Sequence, residues 1–221
     1  MFNPFTLNTT VELLCFLTAF ICLRREPGFA WSSMILYMLL VCIAEITGLY
    51  IKKQHQPNSW VYNVLLIFEA GFISYIFAII LNRYFNSRPW IIAGLAVIAV
   101  IYCYEFWLHG IMRRNNYTNT AIAVIFIFYS LIYYYHLLKD ELYVNLRYSA
   151  DFWWVTGVLL YYFGDIACDV FYPALTDIIK IPDSSFSYIY KGLNFLLYTS
   201  WAYSFYCRLC RATKSKTLSS F

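Results

Sequence analysis

Seven apolar segments fill this 221-residue chain. They lie at roughly 7–23, 29–51, 59–82, 89–109, 118–138, 149–173 and 186–208, and each approaches or exceeds the ~20 residues that carry a helix across a bilayer. Backbone inside hydrocarbon must satisfy its own hydrogen bonds, so segments of this kind are helices. The expectation is an all-α polytopic membrane protein with seven transmembrane helices, forming one domain over residues 1–221. Short connections and a tail of about a dozen residues are all that remain outside the apolar stretches. Any activity is therefore carried by the helices, by their short loops, or by a partner.

Turn-forming residues sit between the segments: Glu26-Pro27-Gly28, Gln56-Pro57-Asn58, Asn86 to Pro89, Asn115-Asn116 and Ile181 to Ser185. Pro173 is expected to end or kink the sixth segment before a short outer helix through Ile179. No repeat period is visible. Only 13% of residues are charged, about half the share usual for a soluble domain. Aromatic residues make up 22%, and Trp31, Trp60, Trp90, Trp107, Tyr148 and Trp201 fall at segment ends, where rings lodge among lipid headgroups.

The net charge of +4 is scattered in pairs over the connections, which argues against nucleic-acid binding and instead sets orientation. One side holds Arg24, Arg25, Arg83, Arg88, Lys139, Arg147, Arg208, Arg211, Lys214 and Lys216. The other holds Lys52, Lys53, Arg113, Arg114 and Lys180. Cytoplasmic loops carry the excess of Lys and Arg, so the N-terminus is expected outside and the C-terminus in the cytoplasm. Residues 1–23 have neither a basic start nor a small-residue cleavage site, so no removable signal peptide is expected. The cysteines are seven, an odd number, and Cys15, Cys22, Cys42, Cys103 and Cys168 lie inside segments, which speaks against a disulfide framework. Cys207 and Cys210 form one CxxC without a second pair, short of the four ligands a structural zinc takes. Neither a metal nor a cofactor is expected.

Carboxylates within the apolar segments are the chemically informative feature. Glu12, Glu45, Glu69, Glu105, Asp165 and Asp169 all lie there, with Lys191 as the only base. A charge near the bilayer centre costs about 2.5–3.5 kcal/mol, so such side chains face a bundle interior or a wet cavity. Glu69 comes about 15 Å into its helix at 1.5 Å per residue, near the midplane. The other carboxylates map to outer halves, and Lys191 and Asn194 to the first turns of the last helix. An acidic hollow open to the outside is therefore expected, with Glu45, Glu69, Asp165, Asp169, Lys191 and Asn194 as ligand-binding residues. Asp165 and Asp169 share a helix face at i, i+4, and Lys191 is expected to bridge to Glu69 or Asp165. Glu12 and Glu105 lie close enough to helix ends to reach the interface. Asp169 is placed to cap the break at Pro173, and His109 and His136 sit near segment ends.

No HExxH, GxSxG or Gly-rich phosphate loop is present. Phe163-Gly164-Asp165 resembles the end of the GxGD motif of intramembrane aspartyl proteases, with Tyr162 in place of the first glycine. The same Gly164-Asp165 resembles the Gly-Asp of lysoplasmalogenase-type membrane enzymes, in which acidic residues hydrolyse a lipid vinyl ether. Glu12-Leu13-Leu14, Ala44-Glu45-Ile46-Thr47-Gly48, Trp60-Val61-Tyr62-Asn63, Phe68-Glu69, Phe152-Trp153-Trp154 and Asn194 together resemble a family of small seven-helix inner-membrane proteins of Bacteroidetes-type bacteria, to which no activity is attached. The layout is also similar to the seven-helix sensory module of bacterial histidine kinases. What these likenesses imply is a seven-helix fold in a bacterial inner membrane.

Three functional readings follow. The leading one is a non-catalytic binding or signalling module whose acidic cavity takes a small cationic or polar ligand or a lipid headgroup. Having no effector domain in the apolar bundle, such a module acts through a protein partner or as a homo-oligomer. The second is an intramembrane lipid hydrolase with Glu69 and Asp165 as acid and base, since two carboxylates divide those roles when their environments differ. The third is a membrane accessory protein of a bacterial defence (CRISPR-associated) or secretion system, forming a pore.

Overall fold

The computed structural model of the chain describes residues 6–140, 145–177 and 183–218. Among the described residues the fold is all-helical: α1 Leu7–Leu23, α2 Phe29–Lys53, α3 Ser59–Leu81, α4 Arg88–His109, α5 Asn116–Lys139, α6 Ala150–Asp177 and α7 Asp183–Leu218. A single 3-10 turn at Leu146–Tyr148 leads into α6. Five of the helices, α2 to α6, are long and apolar enough to cross a membrane. α1 is apolar but has 17 residues, and α7 runs for 36 residues into its basic tail.

Local chemistry sets the helix ends. Thr6 caps α1 by accepting a hydrogen bond from the Thr9 amide at 3.2 Å, satisfying one of the orphan donors of the first turn. Pro89 sits in the opening turn of α4, where its missing N–H costs nothing. Gly110 ends α4 at φ 66°, a conformation that suits glycine. Pro173 does not end the sixth segment: α6 continues as helix through it to Asp177. Proline is tolerated where neighbouring contacts re-satisfy the freed carbonyl. The outer helix expected through Ile179, and Lys180 with it, lie outside the described residues.

Each helix packs against its neighbours in the chain, α7 closes on α1, and α3 also reaches α5. The bundle axis is filled with aromatic rings. Trp154 and Trp201 stack at 5.6 Å, the Trp201 indole donates to the Trp154 carbonyl at 3.3 Å, and Phe77 meets Trp154 edge-on at 5.2 Å. Gly157 permits this close approach of α6 and α7, since a Cβ there would stand 3.0 Å from Ser200 Cβ and 3.3 Å from the Leu197 carbonyl. Trp31 and Trp201, expected at headgroup level, are core residues instead. Position near a segment end does not say which way a ring points. Trp60, Trp90, Trp107 and Tyr148 do face outward. Leu14, Ile21, Leu36, Ile92, Val100 and Leu138 also face outward on several helices, an apolar exterior far beyond what a water-soluble monomer presents.

The two ion pairs among the described residues lie at one end of the bundle. Arg83 at the end of α3 pairs with Asp151 at the start of α6. Arg208 of α7 pairs with Glu26 of the α1–α2 connection at 2.9 Å, with its guanidinium 4.8 Å over the Trp31 ring. The opposite end contains the carboxylates of interest.

Candidate functional site

Carboxylates from three helices line one inner chamber of about 170 Å³: Glu12 of α1, Glu45 of α2 and Glu69 of α3. Its remaining walls are aromatic and polar, with Tyr37, Tyr62, Tyr161, Tyr198 and Trp201 facing it and Asn194 entering from α7. The Tyr62 hydroxyl donates to Glu45 Oε2 at 3.0 Å, and the Tyr162 hydroxyl donates to Glu69 Oε1. Glu12 is 5% exposed, and its Oε2 is buried without a hydrogen-bond partner. Gly48 makes room for this arrangement, because a Cβ there would stand 2.6 Å from the Tyr62 hydroxyl.

A second, wider cavity of about 350 Å³ adjoins the chamber and shares Tyr62, Leu65 and Glu69 with it. Its rim carries Asn58, Ser59, Arg114, Asn115 and Asn119. The α4–α5 connection that brings Arg114 there is fastened by one buried side chain. The Asn63 amide donates to the carbonyls of Ile111 at 2.8 Å and Arg113 at 2.5 Å. Its Oδ1 accepts from the Asn115 N–H at 3.2 Å. The backbone on both sides of Arg114 is thereby held. Neither ion pair among the described residues uses Arg114.

The remaining predicted residues are distributed differently. Glu105, expected at the interface, is buried and caps α5, accepting from the Tyr117 and Thr118 amides at 3.0 and 2.8 Å and from the Thr118 hydroxyl at 2.6 Å. Glu12, also expected at the interface, is turned inward because α1 is enclosed by α2 and α7. Asp165 stands behind the outer cavity, where Asn119 donates to its Oδ2 at 2.9 Å. It lines neither cavity. With no helix break to cap, Asp169 accepts from the Tyr190 hydroxyl at 2.9 Å. The expected Lys191 bridge to Glu69 or Asp165 is absent: Lys191 Nζ lies 5.0 Å over the Tyr188 ring. His136 stacks on Tyr84 and Phe85.

Sequence reasoning passed over Glu12, Tyr37, Tyr62, Tyr198 and Arg114 as site residues. The available signal for Tyr62 was its spacing from Glu69, seven residues or two helical turns on the same face of α3. Comparison with family models, curated proteins and solved structures yields no match, so the reading of the site rests on its own geometry.

The chamber's chemistry is that of a cation acceptor. Three carboxylates share it, no Lys or Arg lines it, and five aromatic residues complete its lining, a composition that suits an ammonium group. Among the described residues no three His, Cys, Asp or Glu side chains converge closely enough to hold a metal ion. Beside the chamber, and sharing Tyr37 with it, an apolar groove of about 560 Å³ runs between α2 and α3 and opens outward. The Tyr37 and Phe72 rings, stacked at 4.5 Å, form part of its wall.

Proposed function

We propose that this protein is a non-catalytic binding module of a bacterial inner membrane, with seven membrane-crossing helices, the N-terminus outside and the cavity open to that side. Its ligand is a small organic cation, taken into the chamber of Glu12, Glu45 and Glu69. One observation carries the reading: three carboxylates from separate helices share a cavity to which the chain supplies no cation. Buried charge of one sign requires a counter-charge or a proton, and a ligand ammonium group supplies it.

α7 is the element suited to pass occupancy on. It presents Asn194 to the chamber, and further along the same helix Arg208 pairs with Glu26. Its C-terminal end, with Arg208 and Arg211, is the side from which a partner protein at the cytoplasmic face would read occupancy. The ring-filled axis of Tyr37, Trp154, Trp201 and Phe77 favours a closed pocket over a conduit.

Lipid cleavage is the second reading, favoured by the apolar groove next to the chamber. The pair expected for it, Glu69 and Asp165, shares neither cavity, because Asp165 is bonded to Asn119 outside both linings.

The test is calorimetric titration of the purified protein in nanodiscs of anionic lipid with ethanolamine, choline and putrescine. At least one should bind, and Glu12→Gln and Glu69→Gln should each weaken it about tenfold or more, the worth of one charge-assisted contact. A carboxyl C=O band in the infrared spectrum, unchanged by every amine and absent from the glutamine variants, would instead show chamber groups held by protons alone. That outcome, with no amine binding, ends the proposal.

A further inference from the structure

The two cavities adjoin at Tyr62, Leu65 and Glu69 and differ in charge, and that polarity specifies the ligand beyond its ammonium group. We infer that the ligand is a zwitterion: its ammonium sits in the inner chamber, and an acid group reaches Arg114 in the outer cavity. This deepens the proposed function and rests on it.

The inner chamber offers three carboxylates and aromatic residues with no cationic side chain, and Glu12 Oε2 is buried there without a partner. Glu69 and Tyr62 form the wall common to both cavities. Beyond them the lining changes to Ser59, Asn115, Asn119 and Arg114, the hydroxyl, amide and guanidinium groups that receive carboxylate or phosphate. Arg114 belongs to this surface by construction. It has no carboxylate of the chain as its ion-pair partner among the described residues. The loop on either side of it is bonded to Asn63. An arginine whose backbone neighbours are bonded to Asn63, and whose exposed guanidinium pairs with no carboxylate among the described residues, is open to an anion that enters this cavity.

Size agrees with two-point recognition. The inner chamber, about 170 Å³, admits a small ammonium head, and the outer cavity, about 350 Å³, admits the acid group and whatever bears it. A simple amine would leave Arg114 unused, and a simple anion would find nothing in the chamber to bind. The chemistry shared by an aminophosphate metabolite and an aminophospholipid headgroup meets both requirements.

The experiment compares ethanolamine, phosphoethanolamine and inorganic phosphate on the full chain in nanodiscs containing only phosphatidylglycerol, so that no zwitterionic lipid is present. Phosphoethanolamine should bind about tenfold or more tighter than ethanolamine, the worth of one charge-assisted contact, and phosphate alone should bind more weakly than phosphoethanolamine. Arg114→Gln should abolish that advantage and leave ethanolamine affinity unchanged, while Arg114→Lys keeps part of it. In nanodiscs with phosphatidylethanolamine, weakened binding of added phosphoethanolamine identifies the lipid headgroup as source, and unchanged binding identifies a free metabolite. Equal affinity for the amine and the zwitterion, or an advantage that survives Arg114→Gln, overturns the zwitterion while the amine site stands. If neither compound binds, both the zwitterion and the underlying site are wrong.

Discussion

Gly48 determines where the Tyr62 hydroxyl lies, and through it where Glu45 is held. The hydroxyl occupies the space a side chain at position 48 would take and donates to Glu45 Oε2. Gly48→Val therefore forces the ring away or the helices apart, an overpacking cost of about 1–3 kcal/mol. The expected outcome is a folded protein with lowered thermal stability and amine affinity reduced about tenfold, measured by calorimetry beside a melting curve. The Tyr62 ring carbon Cζ would itself stand 2.9 Å from that Cβ, so relief needs loss of the ring: Tyr62→Ala combined with Gly48→Val should recover stability without recovering affinity. Recovery of both would mean that the hydroxyl holds no chamber carboxylate. At this scale the sequence was only partly legible. Glu45, Glu69 and Asn194 announce themselves as polar groups in apolar segments. Asp165 and Glu105 carry the same signal, yet they are bonded to Asn119 and to the start of α5. Hydropathy reports that a buried carboxylate must be satisfied, without saying by what.

Among the elements, α7 joins the chamber to the opposite end of the bundle. Arg208 anchors it there through Glu26 and the face of Trp31, in surroundings that leave the two charged side chains 16% and 9% exposed. Removing one member of such a pair leaves the other charge buried and unmatched, so Glu26→Gln should destabilise the protein by about 3 kcal/mol. If α7 carries occupancy to the far end, ligand-saturated protein should also change hydrogen exchange around residues 24–31 and 205–211, and Glu26→Gln should uncouple that change from binding. Exchange unaltered by ligand in the parent protein would confine the ligand's effect to the chamber. Helix extents were largely readable from apolar runs and from Pro27, Pro57 and Pro89. Pro173 does not stop α6, because proline weakens a helix by removing one bond, and packing decides whether the helix survives that loss.

For the molecule as a whole, the distribution of charge between the two ends makes a topological prediction. Arg24, Arg25, Arg83, Arg88, Arg147 and Arg208 gather at the end where the ion pairs lie, which the positive-inside rule assigns to the cytoplasm. A green fluorescent protein fused after residue 221 should fluoresce, and alkaline phosphatase at the same position should be inactive. A fusion at Gln56, between α2 and α3, should give the reverse. Active phosphatase at the C-terminus would invert the protein and place the chamber on the cytoplasmic side.

The apolar runs by themselves determined that the chain is helical and suited to a membrane, because hydrocarbon tolerates no unsatisfied backbone and twenty residues of one character record its thickness. They also marked which buried groups needed an explanation. Only the tertiary structure decided which of those groups meet. Rotation of each helix about its axis is fixed by contacts such as Trp154 on Trp201, Gly157 beside Leu197 and Asn63 clasping the α4–α5 connection. Those contacts turn Glu12 inward beside Glu45 and Glu69 and set Arg114 at the opening. Pairwise packing between distant segments leaves no periodic trace in either one, and the binding site is made of such packing.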